Sequence, residues 1–182
     1  TYAKAFGANI QRHFPTLISA QDQSGQILAA AGFRLAENSQ LYLESYLGAP
    51  IEACCADHGI NVRRNEIAEI GNLSSAGRGA SIFLFLALAS HLEQRGVKIA
   101  AATATKRLRR MFQTVRFKSV ALGEAGASRL ADAAAWGAYY DHDPVVLAGE
   151  VRCGHENLQR LYADETAERL VSRLHPDCAQ DY

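Results

Sequence analysis

The chain has 182 residues, a formal net charge of zero at pH 7 and 48% hydrophobic residues. This composition is typical of a folded domain and excludes an intrinsically disordered chain. A neutral chain has no overall attraction to nucleic acid or anionic lipid, so such a partner would need a local basic patch. The four cysteines have no regular spacing, which favours reduced thiols in a cytoplasmic protein but leaves disulfides open. No signal peptide is visible, although the first residue is Thr1, so a removed leader also stays open.

The N-terminal part of the chain is predicted to form a helix followed by strands. Apolar residues recur every four positions from Tyr2 to Phe14, which is typical of a short amphipathic helix that Pro15 ends. A short helix is also expected over 49–59, with Gly59 as its C-terminal stop. Runs of alternating apolar residues predict strands over 16–22, 27–36 and 40–47.

The rest of the chain alternates strands and helices. Strands are predicted over 66–75, 97–105 and 119–123, and helices over 79–96, 106–117 and 155–175. The segment 127–140 is ambiguous and is expected to pass from a helix into a strand that ends near residue 151. This order favours one α/β (α+β) domain over residues 1–182, with a mixed central sheet flanked by helices. The C-terminal helix would pack on this domain or extend from it.

The most apolar segment of the chain is the predicted helix 79–96. Its longest apolar run extends from Ile82 to Ala89, and His91 and Glu93 follow soon after. Because a helix needs about 20 apolar residues to span a bilayer, this run excludes a single transmembrane helix here. The helix is instead expected to lie in the core.

A polar, glycine-rich loop, SSAGRGA, joins a predicted strand to this apolar helix. The first N–H groups of a helix have no intrahelical partner, and the helix dipole adds positive potential, so such a loop can hold a phosphate. The other interpretation is a tight turn with no ligand, since short glycine motifs are weak evidence alone. The candidate phosphate-binding residues are Ser74, Ser75, Gly77, Arg78, Gly79 and Ala80.

Glu69 is a carboxylate in a predicted strand, between the apolar residues Ala68 and Ile70. A buried carboxylate costs free energy unless it is paired or serves the chemistry. One interpretation is a general base whose pKa is raised by burial. The other is a structural ion pair with Arg34 or Arg64.

Two further sets of polar residues have competing interpretations. The basic helix 106–117 would either present a solvated face or bind an acidic partner, such as an acyl carrier protein, through Arg107, Arg109 and Arg110. Nucleic acid is not expected there because aromatic residues are not interleaved with the charges, although a charged tRNA stays open as a donor. No metal site is predicted, because Cys54, Cys55 and His58 do not match known zinc spacings.

Much of the chain resembles the bacterial thermostable hemolysin family. The matching stretches occur in the family's order between about Tyr2 and Gly149, and members are named for lysing red cells. They are HFPTLISAQDQSGQILAAAGFRLAENSQLYLESYLGAPIE, EIAEIGNLSS, ATATKRLRRMFQTVRF and WGAYYDHDPVVLAG.

The family pattern is itself similar to the N-acetyltransferase (GNAT) superfamily. There, a [RQ]xxGx[GA] loop binds the pyrophosphate of acyl-CoA. Gly77 and Gly79 match this loop, but Ser74 stands where Arg or Gln is usual. A tyrosine near the end of such domains often protonates the leaving thiolate. The resemblance makes Tyr139 and Tyr140 candidate acids, and an aromatic core is the alternative.

The pattern is also similar to acyl-homoserine lactone synthases. Arg34-Leu35 matches their Arg-Leu pair, and Glu69-x-x-Asn72 matches their E-x-x-R motif, with Asn72 in place of the arginine. The acidic N-terminal motif of these synthases has no clear counterpart. Use of S-adenosylmethionine is therefore not implied.

Two functions are expected from these resemblances. The favoured one is a cytoplasmic acyltransferase of GNAT-like three-layer fold. It would take an acyl-CoA or a phosphopantetheine thioester as co-substrate, act on a small-molecule acceptor and hold no tightly bound cofactor. A backbone N–H between Asn72 and Ser74 would stabilise the oxyanion. The alternative is a membrane-active cytolysin, with lysis direct or through an amphiphilic product. The catalytic candidates are Arg34, Glu69, Asn72, Tyr139 and Tyr140.

Overall fold

A mixed sheet forms the centre of the computed structural model, which describes residues 2–9, 14–75 and 78–174. For Tyr2, Arg78 and residues 164–174 the description covers the backbone alone. The candidate phosphate-binding residue Gly77 and the cysteine Cys178 lie outside the described residues. Cys54, Cys55 and Cys153 are free thiols.

The described sheet has six strands in the order β1-β2-β3-β4-β6-β5. The pair β3–β4 is parallel and the other neighbours are antiparallel. The small residues and β-branched residues of the central strand β4 suit a strand covered on both faces. The strands are β1 (Thr16–Gln21), β2 (Ile27–Leu35), β3 (Ile67–Ser75), β4 (Ile99–Ala104), β5 (Ser119–Glu124) and β6 (Val145–Glu150).

Helices cover both faces of the sheet, which confirms the predicted GNAT-like three-layer α/β arrangement. On one face α4 and α6 pack on the sheet, and α5 contributes Met111 and Phe112 beside them. On the other face lie α2, α3 and a 3₁₀ helix, Ala133–His142. The α-helices are α1 (Tyr2–Phe6), α2 (Glu44–Leu47), α3 (Ile51–Asp57), α4 (Arg78–Gln94), α5 (Lys106–Thr114) and α6 (Val151–Leu174).

Several predicted elements differ from the structure in their bounds or type. Helix α1 ends at Phe6, where Gly7 follows in the left-handed region with φ of 66°. The ambiguous segment forms two 3₁₀ helices, Ala127–Arg129 and Ala133–His142, and the strand that follows them is β6. The predicted C-terminal helix begins earlier, at Val151.

The predicted strand over 40–47 is wrong. Residues 41–43 form a turn and Glu44–Leu47 form α2. The alternating Leu41 and Leu43 are both buried, so they look like one face of a strand in the sequence. Their N–H groups, however, bond to carboxylates and not to a neighbouring strand.

Glu44 is the buried carboxylate that holds this turn against α3. Its oxygens accept the N–H groups of Leu41 and Ile51 at 2.8 Å each and pair with both terminal nitrogens of Arg64. Burial alone would raise the pKa of Glu44. The hydrogen bonds from Arg64 and the two N–H groups outweigh burial and lower that pKa below 4.5.

Acid should therefore destabilise the fold through Glu44. A lowered pKa contributes stability that is present above the unfolded value and is lost as the pH falls through the folded value. We expect Glu44→Gln to cost about 3 kcal/mol of unfolding free energy at pH 7, because it leaves Arg64 short of a charge partner. The loss relative to wild type should shrink below pH 4. Urea unfolding at both pH values checks this, and a pH-independent difference would contradict it.

Candidate active site

The parallel strands β3 and β4 separate at their carboxyl ends. They pair from Ile67 and Ile99 as far as Ile70 and Ala102, while β3 continues to Ser75 and β4 to Ala104. From Gly71 onward this side of β3 has no strand partner among the described residues. The result is a gap in the sheet whose backbone groups are available to a ligand.

A bulge at Asn72 causes this separation. Asn72 has a φ of 50°, which is uncommon for a residue with a side chain. The pairing with β2 shifts by one residue here, so that Asn72 and Leu73 together oppose Ala31. An extra residue bends its strand and re-aims the following backbone. Asn72 is therefore the point at which β3 turns away from β4.

A cavity of about 540 Å³ opens at this gap. Its walls come from the ends of β3 and β4, from α5, and from Phe6 of α1. Two of the predicted phosphate-binding residues, Ser74 and Ser75, line this cavity. The buried Ser81 donates a hydrogen bond to Ser75 Oγ at 2.7 Å. Gly79 and Ala80 lie half-buried in the first turn of α4, next to this wall. The other main wall residues are Leu73, Thr103, Thr105, Arg107, Leu108 and Tyr139.

An apolar cavity of about 70 Å³ adjoins the gap on the α4–α6 face of the sheet. Ile70 and Ala102, the last paired residues of the two strands, form part of its lining. Val115 lines both this cavity and the larger one. The remaining lining side chains are apolar and come from α4, α5, α6 and the sheet, with Phe85, Phe112, Phe117 and Leu158 as the largest.

A narrow third cavity, of about 50 Å³, opens on the opposite face of the sheet. It brings together four of the predicted catalytic residues: Arg34, Glu69, Asn72 and Tyr139. Thr103 and Tyr139 line both this cavity and the one at the gap. The three cavities thus meet where β3 and β4 separate. The sequence patterns did not indicate the roles of Phe14 and Tyr42, which line the third cavity.

Glu69 is 3% exposed and holds the turn 41–43 against the sheet. Its carboxylate accepts the N–H groups of Tyr42 at 2.9 Å and Leu43 at 3.1 Å. Arg34, its partner across the strands, places Nε 3.4 Å from the same carboxylate. The predicted ion pair with Arg34 is therefore present, while Arg64 pairs with Glu44 and Glu52.

Burial raises the pKa of Glu69 above its ordinary value of 4.5. The hydrogen bonds from Tyr42 and Leu43 and the charge of Arg34 oppose burial only in part. A carboxyl with a raised pKa can exchange a proton nearer to neutral pH. Glu69 can therefore be both a structural partner of Arg34 and a general base, because it is ion-paired and its pKa is raised.

Aromatic side chains form most of the remaining wall of the third cavity. The indole of Trp136 donates to Tyr42 Oη at 2.8 Å, and Tyr42 donates to Asp132 at 3.1 Å. Tyr139 is 4% exposed and its hydroxyl donates to the backbone oxygen of Thr103 at 3.1 Å, beside the gap. These bonds fix the ring positions.

Tyr140 occupies a different place from Tyr139. Its hydroxyl lies 2.9 Å from that of Tyr46, and it lines none of the three cavities. Burial raises the pKa of Tyr140. Of the two predicted acids, only Tyr139 lies where the cavities meet.

The basic residues of α5 have three different settings. Arg107 lines the cavity at the gap, Arg109 donates to the backbone oxygen of Asp143 at 3.4 Å, and Arg110 is exposed. Of these three arginines, only Arg110 is therefore both solvent-facing and outside the cavity walls. Among the described residues, no group of three or more His, Cys, Asp or Glu side chains could hold a metal ion.

A comparison with protein families shows which family includes this chain. Residues 1–155 match the family model described as thermostable hemolysin. The chain belongs to the thermostable hemolysin family. No curated protein matches this family member by sequence. Every helix in the described part of the chain is too short or too polar to cross a membrane.

Solved structures show which fold this hemolysin-family chain adopts. It is similar to the CoA-dependent acyl-homoserine lactone synthase MesI, with 14% identity and a TM-score of 0.55 over 84% of this chain and 72% of that one. BjaI, a CoA-dependent synthase solved with SAM and isopentyl-CoA, has 12% identity and a TM-score of 0.53 over 81% and 64%. TofI, solved with an inhibitor and MTA, has 13% identity and a TM-score of 0.52 over 74% and 63%. The alignments thus span about two thirds of the length of the synthases.

The hydrogen bonds of Glu69 give a direct stability test. An amide has one oxygen where the carboxylate has two, so Glu69→Gln would turn an NH₂ group toward the N–H of Tyr42 or Leu43. We expect a loss of about 1–3 kcal/mol of unfolding free energy at pH 7, measured by urea unfolding. Glu150→Gln, at the exposed end of β6, is the matched control and should change stability by less than about 0.5 kcal/mol. Equal stability of the two variants would show that Glu69 does not hold the turn.

Proposed function

We propose that the protein is an acyltransferase, which moves an acyl group from a pantetheine thioester to a small-molecule acceptor. The observation that carries this proposal is the gap between β3 and β4, where three cavities of different character meet. An open cavity with polar and apolar walls suits the donor arm, an apolar one suits an acyl group, and a narrow one with titratable groups suits an acceptor.

The donor would enter through the cavity at the gap. A pantetheine arm has amide groups, which can bond to the edge of β3 beyond Ile70 as an added strand would. The phosphates of the donor would meet the first turn of α4, whose N–H groups have no intrahelical partner. Ser74 and Ser75 add hydroxyl groups beside that turn. This placement supports either acyl-CoA or a carrier-bound phosphopantetheine.

The acyl group would lie in the adjoining apolar cavity. Its lining is apolar throughout, which favours an aliphatic chain because burial of each methylene contributes about 0.8 kcal/mol. Val115 lies at the boundary between this cavity and the donor cavity. The thioester carbon would then lie near the last paired residues, Ile70 and Ala102.

The chemistry would use groups around the gap. The nucleophile of the acceptor attacks the thioester carbon, and a backbone N–H between Asn72 and Ser74 stabilises the oxyanion. Glu69 accepts the proton of the nucleophile. Its carboxylate has about four acceptor positions, of which the N–H groups of Tyr42 and Leu43 use two, so the carboxylate can still accept a proton beside Arg34.

Tyr139 would protonate the sulfur of the leaving thiol. The hydroxyl is buried and lies in the wall shared by the donor and acceptor cavities. Its bond to the backbone oxygen of Thr103 keeps it at the gap. The fold that this chain shares with MesI and BjaI supports the proposed acyl transfer in general terms, since both are described as CoA-dependent synthases.

Blocking the donor cavity tests the proposal. Leu108→Trp places an indole in the cavity, so we expect acyl-CoA affinity to fall on the order of tenfold or more. Gln113→Trp, on the exposed side of the same helix, is the matched control and should bind like wild type. Calorimetric titration with acyl-CoA measures affinity, and free-thiol release with a panel of amines and alcohols measures transfer.

Two results would contradict the donor assignment. One is unchanged acyl-CoA affinity in folded Leu108→Trp. The other is an equal loss in both tryptophan variants, since Gln113 does not face the cavity.

Arg110 tests whether a carrier protein delivers the donor. An acidic carrier would be attracted by exposed positive charge, so Arg110→Glu should slow transfer from an acyl carrier protein several-fold at low salt. Transfer from acyl-CoA should stay unchanged, and the difference should shrink near 0.5 M salt because the Debye length is about 10 Å at 0.1 M. Arg152→Glu, exposed on α6, is the control for the charge change alone. Identical slowing in both variants would show that α5 presents only a solvated face and does not bind the carrier.

A further inference from the structure

Arg34 has hydrogen-bonding capacity that the described chain does not use. A guanidinium has five N–H donors. Its Nε is buried and lies 3.4 Å from Glu69, at ion-pair distance but without hydrogen-bond alignment. Within the described residues, the two terminal nitrogens of Arg34 donate no hydrogen bond to any group. A structural arginine would use these donors, as Arg64 does with Glu44, Glu52 and two backbone oxygens.

The position of Arg34 is fixed despite these unused donors. Phe14 stacks on the guanidinium, with the ring centroid 4.7 Å from the central carbon. Phe14 lies against the cross-strand pair Gly32 and Gly71, where an added Cβ would come within 2.6 Å of the Phe14 side chain. The arginine is thus held between Phe14 and Glu69, in the wall of the narrow third cavity.

The charges around Arg34 favour a monoanion. Glu69 is the nearest anion, and its carboxylate already accepts two backbone N–H groups. The other walls of the cavity are mainly aromatic, from Tyr42, Trp136 and Tyr139. A planar carboxylate matches the terminal fork of a guanidinium with two parallel hydrogen bonds. A dianion such as a phosphate would be repelled by the Glu69 carboxylate beside it.

We infer that the acceptor is a small carboxylic acid, bound through its carboxylate by the terminal nitrogens of Arg34. This inference rests on the proposed acyl transfer and names the acceptor class. Arg34 lies opposite Glu69, and the bulge at Asn72 begins about 7–10 Å further along β3. A molecule whose nucleophile is a few bonds from its carboxylate spans that distance together with the arginine side chain. Amino acids and hydroxy acids both fit this description.

With such an acceptor, the transfer step forms one bond, breaks one bond and moves two protons. The lone pair of the amine or hydroxyl forms a bond to the thioester carbon, and the carbon–sulfur bond breaks. The proton of the nucleophile passes to Glu69, and the thiolate takes a proton from Tyr139. The products are a free pantetheine thiol and an acylated acid, which is an amphiphile because an aliphatic chain is joined to a carboxylate.

Product analogues test this carboxylate site without requiring catalysis. The probes are N-octanoyl derivatives of a panel of amino acids, each as the free acid and as its methyl ester, titrated by calorimetry. Wild type should bind at least one free acid about ten- to hundredfold more tightly than its ester, as expected for charge-assisted hydrogen bonds. Arg34→Gln should bind both forms equally. Arg152→Gln, exposed on α6, should keep the wild-type preference.

Two controls distinguish loss of the carboxylate site from loss of folding or of charge alone. Melting temperatures establish that each variant is folded, and Arg34→Lys, which keeps the charge but not the fork, should keep only part of the preference. Octanoyl-CoA with amino acids or the matching hydroxy acids then distinguishes the two acceptor types by product mass.

The possible failures are distinct. Equal binding of acid and ester by wild type, no binding of any free acid, or a preference that survives in Arg34→Gln would overturn the carboxylate site. A carboxylate preference without any acyl transfer would overturn the proposed function and leave the site standing.

Discussion

Three consecutive N–H groups in the turn 41–43 need acceptors in a buried place, and two carboxylates supply them. Leu41 bonds to Glu44, and Tyr42 and Leu43 bond to Glu69. An unpaired N–H in such a place costs about 1–3 kcal/mol, so these acids stabilise the turn in this position. The same bonds join the helical layer of α2 and α3 to the centre of the sheet. The wall of the third cavity therefore depends on carboxylates that also stabilise the fold.

The bulge at Asn72 has the complementary effect of opening the sheet. Parallel strands that stayed paired to their ends would close the path between the two faces. The separation after Ile70 instead joins an apolar space on one face to a mainly aromatic space with titratable groups on the other. A transfer reaction needs such a junction, because donor and acceptor must meet while their remaining parts stay apart.

The sequence predicts the parts of this protein that depend on local pattern. The strands β2, β3 and β4 and helix α4 follow from periodicity and from their glycine and polar ends, and Arg34 and Glu69 meet as one of the two pairings expected. The turn 41–43 does not follow, since the acceptor for Tyr42 lies 27 residues further along the chain. Neither does the bulge, because Asn72 interrupts no hydrophobic pattern. The different settings of the adjacent Tyr139 and Tyr140 depend on the kinked 3₁₀ helix that carries them.

The contact of Phe14 with Gly32 and Gly71 couples distant parts of the chain. The two glycines leave a flat surface on neighbouring strands, and the aromatic ring fills the volume that side chains would otherwise take. A larger residue at either glycine would displace the ring, and a smaller residue at position 14 would leave a void over the sheet. Changes at this corner are therefore tolerated in compensating pairs and not singly. In related sequences we therefore expect a larger residue at position 32 or 71 to occur together with a smaller residue at position 14. The guanidinium of Arg34 should stay covered in each case.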